Sequence, residues 1–264
     1  MGVRTHLRTE AIVLRRTDHG ESDWIVTLFT RDFGKIKGIA KGARRSRRRF
    51  ANTLDDFCCL NLIFSQRGRG SLVFLESSDI VEHFGEIRLC VEKTALASYL
   101  VELLDAFTPE GKPNRELYET LRGFLILLNA GAPMGNLARF YEIRLLAACG
   151  YDPALDRCAR CGTTMASAPS LVFHAAEGGV LCPACLPAGP PGLPLSQGAA
   201  KTLLLAKRLP IPRLVSLSLT PQTARETEEI LGVFVNHLLG RELLSLQVLR
   251  QIRQFSIDTS RKNK

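Results

Sequence analysis

The sequence predicts an α+β chain of two parts: an N-terminal β-barrel, then an α-helical domain carrying an inserted four-cysteine module. Three observations predict it. Five short runs rich in β-branched and aromatic residues fill roughly the first 80 positions. Beyond them the apolar residues fall into a helical spacing. Two C-x-x-C pairs then interrupt the helical pattern. The barrel is expected at 1–80 and the helical domain at 81–264, with the cysteine module at about 150–190.

Residues 9–15 form the first β-branched run, and residues 22–30 (SDWIVTLFT) the second. Arg31-Asp32-Phe33-Gly34 supplies a turn, and residues 35–41 (KIKGIAK) return as a third strand. Gly38 within it fits a bulge or a sharp barrel corner. After an arginine-rich segment come a fourth strand at 57–65 (FCCLNLIFS), the turn QRGRG and a fifth strand at 71–77 (SLVFLES). No long helix lies among the first three strands, which fits a small barrel of the OB type. An SH3-like barrel competes, because counting strands does not separate the two.

From residue 86 to 107 the apolar positions 87, 91, 95, 96, 99, 100, 103 and 104 lie on one helical face. Thr108-Pro109-Glu110-Gly111 ends that helix. A second helix is expected at 115–128, stopped by 130–133, and a third at 137–149, closed by Gly150. Residues 150–190 read as a loop module, and 187–194 (PAGPPGLP) as a stiff connector. Ser196 caps a helix running to about Arg208. Thr220 and Pro221, as N-cap and first helical residue, open the last long helical stretch. Glu226, Glu228 and Glu229 in its early turns suit the macrodipole.

Of 264 residues, 45% are hydrophobic and 23% charged, the balance of a folded globular protein. No run approaches the roughly 18 apolar residues of a membrane span. The opening MGVRTHLRTE lacks the apolar middle of a secretory signal. A cytoplasmic protein without a membrane partner is expected, its eight cysteines being thiols or metal ligands rather than disulfides. The net charge of +9 is uneven. Residues 1–49 hold thirteen Lys/Arg against five Asp/Glu, and residues 241–264 hold six against two. A basic module on a mildly acidic body points to a polyanion, nucleic acid being the commonest.

Cys158-x2-Cys161 and Cys182-x2-Cys185, twenty residues apart, form the most specific pattern. Zinc takes four thiolates in a tetrahedron, and each C-x-x-C presents two at one corner. Gly162 and Pro183 suit the tight turns of such knuckles, and Arg157 and Arg160 would offset the negative charge of four thiolates. A redox site would need one C-x-x-C beside a βαβ unit. A catalytic metal would need an open position, which four cysteines close. His174 could replace one thiolate. The expectation is one structural Zn²⁺ per chain, stitching a loop too poor in apolar residues to fold alone. Cys58, Cys59, Cys90 and Cys149 lie in apolar runs, as small core residues do.

Arg44, Arg45, Arg47, Arg48 and Arg49 follow the third strand as one dense run, approached by Lys35, Lys37 and Lys41. Such a cluster neutralises several phosphates and gains affinity from counterion release. Single strands also need flat side chains on which bases stack. Trp24, Phe29, Phe33 and Phe50 are the nearby aromatics, each equally able to serve the barrel core. There is no phosphate-binding glycine loop, HExxH or GxSxG motif, and the five histidines are scattered. Nothing indicates an enzyme or a small-molecule substrate.

Three stretches carry a family resemblance: TEAIVLRRTDHGESDWIVTLFTRDFGKIKGIAKGAR, ASYLVELLDAFTPEGKPNRELYETL and, above all, RFYEIRLLAACGYDPALDRCARCG. In order, from about residue 8 to 185, the chain resembles the bacterial RecO recombination mediators, as does its tail after HLLGRELLS. The resemblance implies an OB barrel that binds single- and double-stranded DNA and a helical domain with a zinc module. It also implies strand annealing in the RecFOR pathway, partnership with RecR, contact with the C-terminal tail of single-strand-binding protein, and loading of RecA at the nucleoid. Two other readings use the same charge: a zinc-bearing OB-fold RNA-binding protein, separable by a 2′-hydroxyl preference, and a scaffold for an acidic protein.

Overall fold

The computed structural model describes residues 5–46, 48–66, 72–189 and 192–262, with side chains as far as residue 255. The chain divides into two compact units, Met1–Asn129 and Ala130–Lys264.

In the first unit, β1 (Thr5–His19), β2 (Asp23–Thr30), β3 (Gly34–Ala40), β4 (Cys59–Gln66) and β5 (Leu72–Glu82) close into a barrel. Their order is β1-β2-β3-β5-β4. All ladders are antiparallel except β3 with β5, where Lys37 opposes Leu72 and Ile39 opposes Phe74. This Greek-key order with a parallel seam is the OB arrangement, and it removes the SH3-like alternative. β1 is longer than its sequence signal because it pairs twice, with β4 over Thr5–Ile12 and with β2 over Ala11–His19. A register shift between Val13 and Arg15 bends it between the two. Gly38 is not bulged. It lies at the parallel seam, where a Cβ would sit 2.3 Å from Leu75 Cδ2.

Alternation puts Val26 and Leu28 inside the barrel. Phe29 and Ile12 occupy outward positions yet are fully buried. Three helices follow the barrel, α1 (Gly85–Arg88), α2 (Val91–Phe107) and α3 (Arg115–Asn129), and α2 packs against β1. The single helix expected at 86–107 is broken at Leu89–Cys90. Cys90 is extended (φ −127°), and Thr94 Oγ1 donates to the Ile87 carbonyl at 2.7 Å, ending one helix as the next begins. Arg122 holds Glu82 through two bonds of 3.0 Å, and the Tyr118 hydroxyl donates to Glu10, so α3 is tied to the barrel.

The second unit contains α4 (Met134–Ala148), β6 (Leu171–His174), β7 (Gly179–Leu181), β8 (Leu193–Leu195), α5 (Gln197–Arg208), α6 (Pro221–Leu239) and α7 (Leu244–Lys262). Ser196 and Thr220 cap α5 and α6 as the sequence indicates, each side chain accepting the backbone N–H three residues on. The last helical stretch is two helices, because Gly240 turns left-handed (φ 66°) and ends α6. Residues 150–190 are more than a loop: β6 is the centre of an antiparallel sheet β7-β6-β8. The connector expected at 187–194 supplies β8, with Pro194 on an edge strand. The RFYEIR stretch lies in α4. Its Arg139 and Glu142 form a buried 2.8 Å ion pair, and Arg144 donates to the carbonyls of Lys207 and Leu209 at the C-terminal end of α5.

Gly34 joins β2 to β3 at φ +68°, and a Cβ there would stand 2.1 Å from the Lys112 carbonyl oxygen. Gly34→Ala combines left-handed strain with a backbone clash. It is expected to cost about 2–5 kcal/mol, read from the urea midpoint at unchanged m-value.

Candidate metal centre and basic face

The four cysteine sulfurs of residues 158, 161, 182 and 185 lie within 4.8 Å of one another, Cys161 and Cys182 at 3.7 Å. A tetrahedron with bonds of roughly 2.3 Å has edges of about 3.8 Å, so four cysteine sulfurs already surround a position that a metal ion fits. Two local turns build it. Gly162, at φ +76°, sends its N–H to the Cys158 carbonyl (2.9 Å), and Pro183–Cys185 forms a 3-10 turn closed by Cys185 N–H on the Cys182 carbonyl. The strand-like bond from Ala159 N–H to the Val180 carbonyl brings the first knuckle to β7, which leads into the second. Arg160 spans the pair, bonding Glu177 and donating to the Cys185 carbonyl. Arg157 pairs with Asp156. The two arginines are therefore matched to carboxylates, and the Cys158 sulfur is met chiefly by backbone N–H groups.

Those groups set the acid strengths. Backbone N–H donation from Cys161 and then Cys182 brings the Cys158 thiol down to about 6, and Thr163 lowers Cys161. Cys185, bonded to the sulfurs of Cys182 and Cys161, is pushed up to about 12. Cys158 thus favours the thiolate near neutrality, whereas Cys185 would have to give up a proton to bind a metal. His174 stands on β6 outside the sulfur cluster. Cys58 and Cys59 are core residues, but Cys90 and Cys149 are only half-buried, at the start of α2 and the end of α4. Metal binding at pH 7 should release at least roughly one proton per ion, measured by calorimetry in buffers of different ionisation enthalpy.

The basic residues are less uniform than their spacing suggests. Lys35 is buried, its ammonium held at 2.7 Å by both the side chain and the backbone carbonyl of Asp105 on α2. Lys37 pairs with Glu110 at 2.7 Å while remaining exposed enough to exchange partners. Lys41 lies over the Phe74 ring, and Arg44 stands 3.5 Å from Asp18. Arg49 donates to the Lys41 carbonyl and covers Phe50. Arg45 and Arg48 are exposed, with no side-chain ion pair among the described residues. Arg47 lies outside the described residues. Lys41, Arg44, Arg45, Arg48 and Arg49 thus gather at one end of the barrel, and Lys35 turns away from them.

Phe29 and Phe50 are core, and Phe33 packs edge-on against Phe64 at 5.3 Å. Trp24 and Phe33 are both half-exposed, and Trp24 lies beside the cluster. Its ring carries the Arg16 guanidinium at 4.3 Å, and its Nε1 donates to Asp18. Sequence reasoning missed Asp18, Asp23 and Ser22, which bound this face from the β1–β2 turn. The acidity of Asp18 and Asp23 gave no hint of a place among arginines. No helix of the described residues is long and apolar enough to cross a membrane.

Comparisons with known proteins agree along nearly the whole chain. Residues 3–84 match the family described as recombination protein O, N-terminal, and residues 90–247 its C-terminal counterpart. The DNA repair protein RecO of Syntrophus aciditrophicus is 44% identical over 97% of this chain and all of its own length. Those of Anaeromyxobacter sp. strain K and Geobacter metallireducens are each 38% identical, over 93% of this chain and 96% and 97% of theirs. With both halves matched in order, the OB barrel and the cysteine-bearing helical unit place this chain in the RecO family of DNA repair and recombination proteins.

Proposed function

We propose that this chain is a non-enzymatic cytoplasmic mediator that binds single- and double-stranded DNA and anneals complementary strands. With RecR it helps load RecA onto DNA coated by single-strand-binding protein, whose C-terminal tail it contacts. The observation that carries the reading is the exposed cation row at one end of an OB barrel, in a chain whose relatives are named DNA repair proteins. Lys37, Lys41, Arg44, Arg45, Arg47, Arg48 and Arg49 neutralise backbone phosphates, and Trp24 offers a ring face beside them. Lys35 is left out, because Asp105 already satisfies its charge.

Annealing follows from electrostatics alone. Two backbones repel, and arginines that hold one strand by its phosphates lower that repulsion while the base edges stay free to pair. No nucleotide hydrolysis is needed. The four cysteines hold one structural Zn²⁺, which fixes the knuckles and the short sheet behind them, so the metal serves shape rather than chemistry.

Arg45→Ala with Arg48→Ala should reduce the salt slope of single-strand binding by about 1.4, two phosphate contacts at ~0.7 each, in fluorescence anisotropy. The mediator reading is tested by annealing of complementary oligonucleotides coated with single-strand-binding protein, without ATP. Acceleration that fades with salt is expected. DNA binding without acceleration would overturn it.

A further inference from the structure

The arginine segment does not hang free from the barrel. Its backbone is stitched to the β1–β2 turn. Asp23 Oδ1 accepts the Gly42 N–H at 2.8 Å and is also bonded to the Ser22 hydroxyl at 3.1 Å. The Ser22 carbonyl accepts the Arg44 N–H at 3.1 Å. Gly42 sits left-handed at φ 65°, and a 3-10 turn over Ala43–Arg45 follows it. At the far end, the Arg49 carbonyl accepts the Ser78 N–H from β5 (2.9 Å), and Phe50 is buried in the barrel core. The segment is a chord tied at both ends, with Arg45 and Arg48 turned to solvent between the ties.

A carboxylate among phosphate-binding arginines is electrostatically unfavourable for a polyanion. Asp23 is therefore costly to DNA binding unless its hydrogen bonds return more than its charge takes away. The Gly42 N–H holds its carboxyl below the usual range, so the acceptor is charged at neutral pH. Hydrogen bonds to charged acceptors are the stronger kind, and a loop ordered beforehand spends less conformational entropy when a ligand arrives.

We propose that Asp23 is a positioning residue for nucleic-acid binding: through Gly42 it fixes the turn that aims Arg44, Arg45 and Arg48 at phosphates. The assignment rests on the reading of the basic face given above.

The charge of Asp23 and its hydrogen bond act in opposite directions, which makes the role measurable. Single-strand binding by anisotropy across a salt series is compared for the full-length protein, Asp23→Ala, Asp23→Asn and the Arg45→Ala/Arg48→Ala pair. Asp23→Ala should weaken binding about tenfold, at an unchanged salt slope, since the loop reaches the same phosphates after paying for its own order. Asp23→Asn keeps an acceptor for Gly42 and drops the charge, so it should bind at least as tightly as the parent. A merely destabilising role would not give that reversal. Binding by Asp23→Ala as tight as or tighter than the parent would overturn the proposal, because Asp23 would then act only as a repelling charge. If the arginine pair leaves the slope untouched, the reading of the basic face fails instead. A lower slope for the pair with full affinity in Asp23→Ala sinks the positioning role alone.

Discussion

Closing five strands into a barrel requires β1 to hydrogen-bond along both edges, and its bend between Val13 and Arg15 lets it pass from β4 to β2. Ala11 and Ile12 are paired on both sides at once. Beyond them the β4 edge is continued by Val13 N–H on the Cys58 carbonyl and Phe57 N–H on the Val13 carbonyl, at 3.0 and 3.1 Å. To make those bonds Phe57 takes φ 69°, a conformation that disfavours a bulky side chain by about 1–2 kcal/mol. Two backbone bonds and the burial of its ring offset that strain. The arginine segment inherits its place from this closure, since it leaves β3 and returns to β4 across the same end of the barrel.

Much of this was legible in the residues, for physical reasons. β-Branched and aromatic enrichment marks β2 because such side chains suit a half-buried pleated surface, and the cysteine spacing marks the candidate metal site because a tetrahedron demands paired ligands. What escaped depended on distant or very short pieces. β6, β7 and β8 hold only three or four residues each, too few for a period to show. The break at Leu89–Cys90 is invisible in the apolar spacing, which continues through it although Leu89 is 82% exposed. Lys35 reads as one of a row with Lys37 and Lys41, but its partner Asp105 lies 70 residues further on.

The basic face and the cysteine module solve related problems with the same means. Each gathers like charges that would repel, and each relies on backbone N–H groups to hold the geometry. In the module, N–H donors of Cys161 and Cys182 point at Cys158. At the barrel the Ser22 carbonyl and the Asp23 carboxylate accept N–H groups of the cationic loop, and the Ser78 N–H of β5 donates to its Arg49 carbonyl. In both places the side chains carry the charge and the main chain carries the shape.

The cover that α2 lays on the barrel bears on how this protein could be dissected. The family match breaks between residues 84 and 90, an obvious place to cut. A fragment ending there would lose Asp105 from Lys35, the Gly111 N–H from the Lys35 carbonyl, and α3 from Glu10 and Glu82. The face of β1 that α2 packs against would lose that contact. Such a piece would carry a new greasy strip beside a freed ammonium, and any stickiness it showed toward DNA or other proteins would belong to the cut and not to the protein.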